Sequence, residues 1–475
     1  MARMLQILVG LVELCKNLEQ KVVRLEEENK NLEKKVARLE EENKILKAEK
    51  NELRERLGLN SRNSSIPTSK ELYKIKRDTP EDKPKSDRKV GGQVGHKGHY
   101  RARMEADKVV KIELLNRCEC GGEIAISEKP YIYQKVDLPE IKPYVVEYQL
   151  QHGRCSKCGK RKSSKLPKGV TPDTFGPRVK SVIAALSGFY KNSKREIANI
   201  MKDIFNLNIS VGSISNSEAR VTLKCKEAYE EVEEEVRASE ILHIDETSHY
   251  KKGKLGWCWM FANDKASFVK LADTRGMKFL KNSTFSDYKK LVVTDRYAVY
   301  NYYSDEKRQI CWAHLLRNFE RLSNSWNSEV MKLGRCLKDA ANELFVLKKA
   351  LSENKIDISK FIDRTKKLRE YTQHCLVKIS YILEAKGDSR TVKGIIKSEP
   401  MMWTFLNDPE NIPLTNNHVE RQMRHYVVYR KNSYFAQSER GNMFLETIIS
   451  LYLTWKQKKL NPFQNLLAVV SQPLP

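Results

Sequence analysis

Three acids have positions that suit shared chemistry: Asp245 in ILHIDETSHY, Asp295 in KLVVTDRYAVY and Glu420 in NNHVERQMR. Two divalent cations held about 3.5–4 Å apart can activate an attacking oxygen and stabilise a leaving one in phosphoryl transfer. Several carboxylates are needed to offset their charge, and hard oxygen ligands suit magnesium, or manganese, better than any cysteine or histidine cluster. Each acid alone has a plainer reading. An aspartate after a strand is ordinarily a turn residue or helix cap, and Glu420 among arginines reads as a salt-bridged surface residue. All three together in a strongly basic chain favour a site for two such ions.

The elements that must position these acids are legible around them. Asp245 and Asp295 each end an apolar, strand-like run, with further strands in LGWCWMFAND and ASFVKLAD and another apolar run in RQICWAHLLRNF. Two strand-end aspartates suit an RNase H-like α/β fold, in which the first and fourth strands lie side by side and present their carboxylates together. The third acid must then come from a later helix, and Glu420 is the candidate. Near it, Arg421, Arg424, Arg430 and Lys431 are either solvated charges or, beside a metal-bound phosphodiester, groups that position the nucleic-acid backbone. Asn416 and Asn417 are expected to cap that helix and hydrogen-bond around Glu420. His314 has two open roles, contact with DNA or a scissile phosphate, and capping of a helix. Trp257 and Trp259 read as core and platform residues.

A second constellation is metal-like for a different reason. Cys118 and Cys120 in RCECGG, and Cys155 and Cys158 in RCSKCGK, bracket the β-like alternation of YIYQKVDLPEIKPYVVEYQLQ. Four thiolates on two knuckles suit a tetrahedral structural zinc that holds a small domain lacking a large core. The alternative is four reduced cysteines in a small sheet. The remaining six cysteines lie singly among apolar residues and read as core.

At 475 residues, the chain should form several domains. Its 87 Lys and Arg against 61 Asp and Glu give a formal charge of +26, which favours a polyanionic partner. Apolar stretches shorter than a bilayer span, and an N-terminal segment without a cleavage-site pattern, predict a soluble cytoplasmic protein with no membrane partner. Leucines recur every seventh residue from Leu11 to Leu53, and KVVRLEEENKNLEK is followed by its near copy KVARLEEENKILKA. This is a coiled-coil seam, and Asn29 and Asn43 at its a positions favour two parallel strands. A homodimer or higher oligomer is therefore expected. The stretch after Asn60 is polar, basic and rich in Pro, Gly and Ser, a linker able to lie along phosphates. Between Pro177 and Val221 the rhythm is that of a helix-turn-helix, with Asn192 or Ser193 and then Ser210 or Gly212 opening successive helices. A charged helix should follow from Ser217 to Arg237.

The motifs HIDET, VVTDRYAVY, CWAHLLRNF and PLTNNHVERQMRHYVVYRKNSYFAQSERG resemble those of the insertion-sequence 66 family of DDE transposases, and the resemblance runs almost end to end. Arg296 stands where that family usually has Gly, and Thr415 where it usually has Asp; the first cysteine pair is one residue short. The resemblance implies that Asp245, Asp295 and Glu420 form the metal-binding triad and that a mostly helical insertion precedes the Glu-bearing helix. It also implies binding of terminal inverted repeats and target DNA, accessory proteins from the same element, and a bacterial, nucleoid-associated location. The expected architecture is multidomain α+β. A leucine zipper (1–59), basic linker (60–105), zinc ribbon (106–170) and helix-turn-helix-like DNA-binding domain (171–238) precede the catalytic domain. That domain has a first part (239–320), a helical insertion (321–405), a Glu-bearing part (406–450) and a tail (451–475). The expected activity is metal-dependent cleavage at element ends followed by 3′-hydroxyl strand transfer. The rival readings are a nuclease or resolvase that cuts without joining, and a non-catalytic DNA-binding descendant of a transposase.

Overall fold

The computed structural model describes residues 2–58, 95–97, 102–114, 117–385 and 389–472, so most of the expected linker lies outside the described residues. Helix α1 (Ala2–Gly58) is continuous. Its seam residues Leu18, Val22, Leu25, Leu32, Val36, Leu39 and Leu46 are all about half exposed. Arg24–Glu28 and Arg38–Glu42 form ion pairs one turn apart along it. Among the described residues, no helix is long and apolar enough to cross a membrane.

The strands expected between the cysteine pairs do not form. Tyr131 to Gln151 join no ladder and are nearly all exposed, and among the described residues the ladder nearby joins β1 (His152–Arg154) to β2 (Arg161–Ser163). Pro130, Pro139 and Pro143 remove donors from this segment, and the apolar side of its alternation has no second layer to pack on.

Next comes a helical module. Helix α2 (Pro177–Ala184) continues through a wider turn at Ala185–Phe189, followed by α3 (Lys194–Asp203), α4 (Val211–Lys224) and α5 (Lys226–Ala238). Ser193 and Glu196 form a reciprocal capping box at α3, and the Ser210 hydroxyl caps α4. Ile183, Ile197, Met201 and Ile214 make a small core beneath them. The single helix expected from Ser217 to Arg237 is instead two, broken at buried Cys225, whose backbone (φ −91°, ψ 6°) leaves the helical range.

A five-stranded mixed sheet follows: β3 (Ile241–Lys251), β4 (Lys254–Ala262), β5 (Ser267–Ala272), then α6 (Met277–Asn282), β6 (Leu291–Thr294) and β7 (Arg308–Ile310). The strand order is β5-β4-β3-β6-β7, with β3, β4 and β5 antiparallel and β6 and β7 parallel to β3. Helices α7 (Trp312–Ser323), α8 (Ser328–Ser352), α9 (Ile358–Glu384), α10 (Arg390–Lys397) and α11 (Glu399–Met402) share a core of their own, as the amphipathic pattern of the expected insertion requires. The chain then returns through α12 (Asn417–Ser433), which packs along β3 and β4, and α13 (Glu439–Gln457), which packs along β5.

Along β5, an edge strand, the outward backbone N–H groups of Ser267, Val269 and Leu271 donate to Thr454, Ser450 and Glu446, residues one turn apart on α13, at 3.1, 2.9 and 2.8 Å. The period of two on the strand thus meets the period of four on the helix, and the edge is closed to further pairing. The expected C-terminal tail is not a tail. Helix α13 crosses residue 451, and α14 (Pro462–Ser471) packs on α2, with Leu466 and Val470 buried in the core that includes the sheet. Each is an apolar residue facing a surface that would otherwise be left uncovered.

Helices α7 and α8 approach so closely at Gly334 that a Cβ there would lie 2.4 Å from the backbone of Leu322 and Ser323. Gly334→Ala should destabilise the fold by about 1–3 kcal/mol, read as a lower midpoint in chemical unfolding. An unchanged midpoint would show that this contact yields freely.

Candidate active site

Strands β3 and β6 pair in parallel with Ile241 opposite Leu291 and His243 opposite Val293, and the same offset relates Asp245 to Asp295. Asp295 directly follows β6, as expected. Asp245 does not end its strand: β3 continues to Lys251 because it forms a hairpin with β4, with Asp245 opposite Met260. It is the pairing with β6 that stops short of it, so the carboxylate lies just past the end of the neighbouring strand. Asp245 Oδ1 accepts from the Glu246 N–H at 2.9 Å, and Asp295 Oδ1 from the Tyr297 N–H at 2.8 Å. Glu420 stands in the first turn of α12. Burial, and then the charges of Glu246, Asp295 and Glu420, push the Asp245 carboxyl well above the usual carboxylate range. The Asp245 carboxyl thus feels the charges of both other acids, although the carboxylate oxygens of the three do not all come within 4.8 Å of one another.

Asn416 and Arg308 support this arrangement. Asn416, at the head of α12, is buried and makes no side-chain cap, contrary to expectation. Its amide instead donates to Ile244 O at 2.7 Å, its Oδ1 lies 2.9 Å from His243 Nδ1, and its backbone N–H points at Cys311 Sγ at 3.2 Å. This one residue joins the Glu-bearing helix to the strand of Asp245 and to the end of β7. Behind Asp295, the buried Arg308 guanidinium donates to Thr294 Oγ1, Asn301 Oδ1 and Asp295 O at 2.8 to 2.9 Å.

Glu246 was not apparent as a site element in the sequence. It is buried, receives Arg275 Nε at 2.8 Å and the Tyr300 hydroxyl, and Arg275 lies over the rings of Trp257 and Tyr297 at 4.8 and 3.9 Å. The adjacent acids of HIDET were the signal, since neighbours on a strand face opposite ways. His314, in the first turn of α7, presents Nδ1 3.6 Å from Glu420 Oε1, with Arg317 near both. Cys311, read as core, is buried but contributes to the same group: the ligand atoms of Cys311, His314 and Glu420 all lie within 4.8 Å of one another. The Cys-x-x-His spacing was the available signal.

The basic residues divide. Arg421, Arg424 and Lys431 are exposed, and Arg421 borders a cleft with His243, Asn417 and His418. Arg430 is turned inward, donating to Thr247 Oγ1 and Ser248 O at 2.8 and 2.6 Å, so it ties α12 to β3. The cysteine pairs each form a tight knuckle. Gly121 N–H donates to Cys118 O and Gly159 N–H to Cys155 O, both at 2.9 Å, with both glycines in the left-handed region that favours glycine. The N–H of Cys120 and that of Cys158 lead the hydrogen bonds that hold Cys118 and Cys155 below the usual thiol range. The shortened first pair thus still makes a turn suited to thiolates. The two knuckles are not gathered into one ligand cluster here, since Cys311, His314 and Glu420 are the group of three or more ligands found among the described residues.

Because Asp245 is harder to ionise folded than unfolded, its charge costs stability as pH rises from about 4 through its raised folded value. In chelator, Asp245→Asn should therefore melt above the wild type at pH 7, with the gain vanishing toward about pH 4. A wild type more stable than the variant at pH 7 would refute the repulsion.

No curated protein matches the chain. A family model described as a family of unknown function (DUF6444) matches residues 12–102. A second, described as Transposase IS66 family, matches residues 192–443, a span that runs from the helical module through all three acids and into α13. The chain belongs to the IS66 family of transposases.

Proposed function

We propose that this transposase cleaves DNA at the ends of its element and joins the freed 3′ hydroxyl to target DNA at a site formed by Asp245, Asp295 and Glu420. The observation that carries this reading is the pairing of β3 with β6, which sets two aspartates level at the end of a parallel ladder, with the Glu420 charge felt at Asp245. The strand order supports an RNase H-like domain, whose first and fourth strands are neighbours. The donor set fits magnesium or manganese, two ions per site: all three groups supply hard oxygens, and Glu420 Oε1 is buried without a hydrogen-bond partner. Bound divalent ions would neutralise charge at the attacking and leaving oxygens.

The rest of the work belongs to the chain. Asp245 and Asp295 are pre-positioned by backbone N–H groups, Asn416 fixes the approach of α12, and exposed Arg421, Arg424 and Lys431 grip the phosphate backbone. Arg430 serves as a strut, which revises its expected DNA contact. His314 acts beside Glu420 rather than as a helix cap. The helical module, with its capped α3 and α4, supports recognition of the inverted repeats. The exposed seam of α1 supports a parallel dimer that pairs two ends. The two glycine-turned knuckles support a structural zinc held by Cys118, Cys120, Cys155 and Cys158.

Asp245→Asn and Glu420→Gln should each lower magnesium-dependent cleavage of an end-bearing duplex by more than about a hundredfold, the loss expected beyond that of an outer-shell partner. Binding to that duplex should persist and weaken steeply with salt. Wild-type cleavage by either variant would defeat the assignment, and pre-cleaved ends that give no joined product would make the protein a nuclease. Replacing Cys155 and Cys158 with serine should remove about one zinc per chain, and equal zinc content would exclude the ribbon.

A further inference from the structure

Cys311 leads into α7 and His314 lies three residues on, so both side chains can face the same neighbour, the first turn of α12. The Cys311 Sγ, a ring nitrogen of His314 and a Glu420 oxygen lie within 4.8 Å of one another. The two atoms facing each other at 3.6 Å, His314 Nδ1 and Glu420 Oε1, are both buried with no hydrogen-bond partner. Buried polar atoms are seldom left in that condition, and a cation between them would satisfy both.

The donor set decides which cation. Sulfur, imidazole and carboxylate together are poor for magnesium and suit zinc, which commonly takes three protein ligands and leaves a fourth position open. We infer that Cys311, His314 and Glu420 form a site for a thiophilic divalent ion of the zinc class, and that filling it withdraws Glu420 from the two aspartates. The Asn416 N–H that points at Cys311 Sγ supports a metal-bound thiolate. Arg317 opposes it: its Nη1 lies 3.3 Å from His314 Nε2 and its Nη2 4.0 Å from Glu420 Oε2, so the guanidinium must retreat when the ion binds. The binding depends only on these residues. The competition with magnesium rests on the proposed catalytic role of Glu420.

Cobalt(II) reads the site directly, through the absorption of a thiolate bound to it. The full chain should bind one more cobalt than Cys311→Ser and show a correspondingly stronger thiolate-to-cobalt band. Affinity for that ion should fall at least about tenfold in Glu420→Gln, rise in Arg317→Gln, and change less in Asp245→Asn than in Glu420→Gln. Zinc should displace the cobalt and inhibit magnesium-dependent cleavage. Equal cobalt content and absorption in wild type and Cys311→Ser would overturn the inference, as would unchanged affinity in Glu420→Gln, a variant whose partly exposed side chain leaves the core intact. If cobalt binds as expected but cleavage survives Asp245→Asn, the site stands and the catalytic reading falls.

Discussion

Like charges must be held together here against their own repulsion, and much of the fold answers that demand. Burial and the charges of Glu246, Asp295 and Glu420 raise the cost of ionising Asp245, and burial and the charge of Asp295 raise that of Glu246. Each is handled differently. Glu246 is neutralised locally by Arg275 and Tyr300. The aspartates are given backbone donors only, which leaves oxygen lone pairs free. Glu420 is brought from a distant helix and left with one unsatisfied oxygen. Among the four, Glu246 is the one with a cation at hydrogen-bond distance.

Bringing Glu420 into range places the burden on the segment before α12. The insertion core is tied to the end of the sheet through Trp312, whose indole N–H donates to Met402 O at 2.7 Å and whose backbone N–H donates to Leu414 O at 2.9 Å. Gln309 adds a bond to Met402 O at 3.1 Å, and Phe405 N–H returns one to Gln309 at 2.8 Å. These contacts fix where the chain leaves the insertion, and Asn416 then fixes how α12 meets β3. Thr415, one of the departures from the family pattern, lies beside Asn416, whose bonds to Ile244, His243 and Cys311 form without an acid at that position.

Much of this was legible in the sequence because it depends on local pattern. The apolar run before Asp295 ends where β6 ends, and Ser193 and Ser210 cap the helices they precede. What was not legible depends on neighbours far along the chain. Asp245 reads as a strand end because its run turns polar, yet β3 continues because β4 supplies a partner. Tyr131 to Gln151 have the alternation of strands and no layer to bury it. Arg430 is indistinguishable from its basic neighbours until β3 is seen to offer it acceptors. The likeness of the acid motifs to a known family brought Glu420 into the site; spacing alone allowed it.

The helical module and the sheet share one core. Ala184, Phe189 and Val221 lie in the same buried cluster as Trp259, Phe261, Ile448 and Leu466. The earliest helices of this body are therefore completed by its latest ones, α13 and α14. During synthesis, the part of residues 177–238 that packs on α13 and α14 stays uncovered until residues 439–471 have been made, although α5 can already pack on β5. A prematurely stopped product would carry that exposed apolar surface and be open to aggregation and proteolysis.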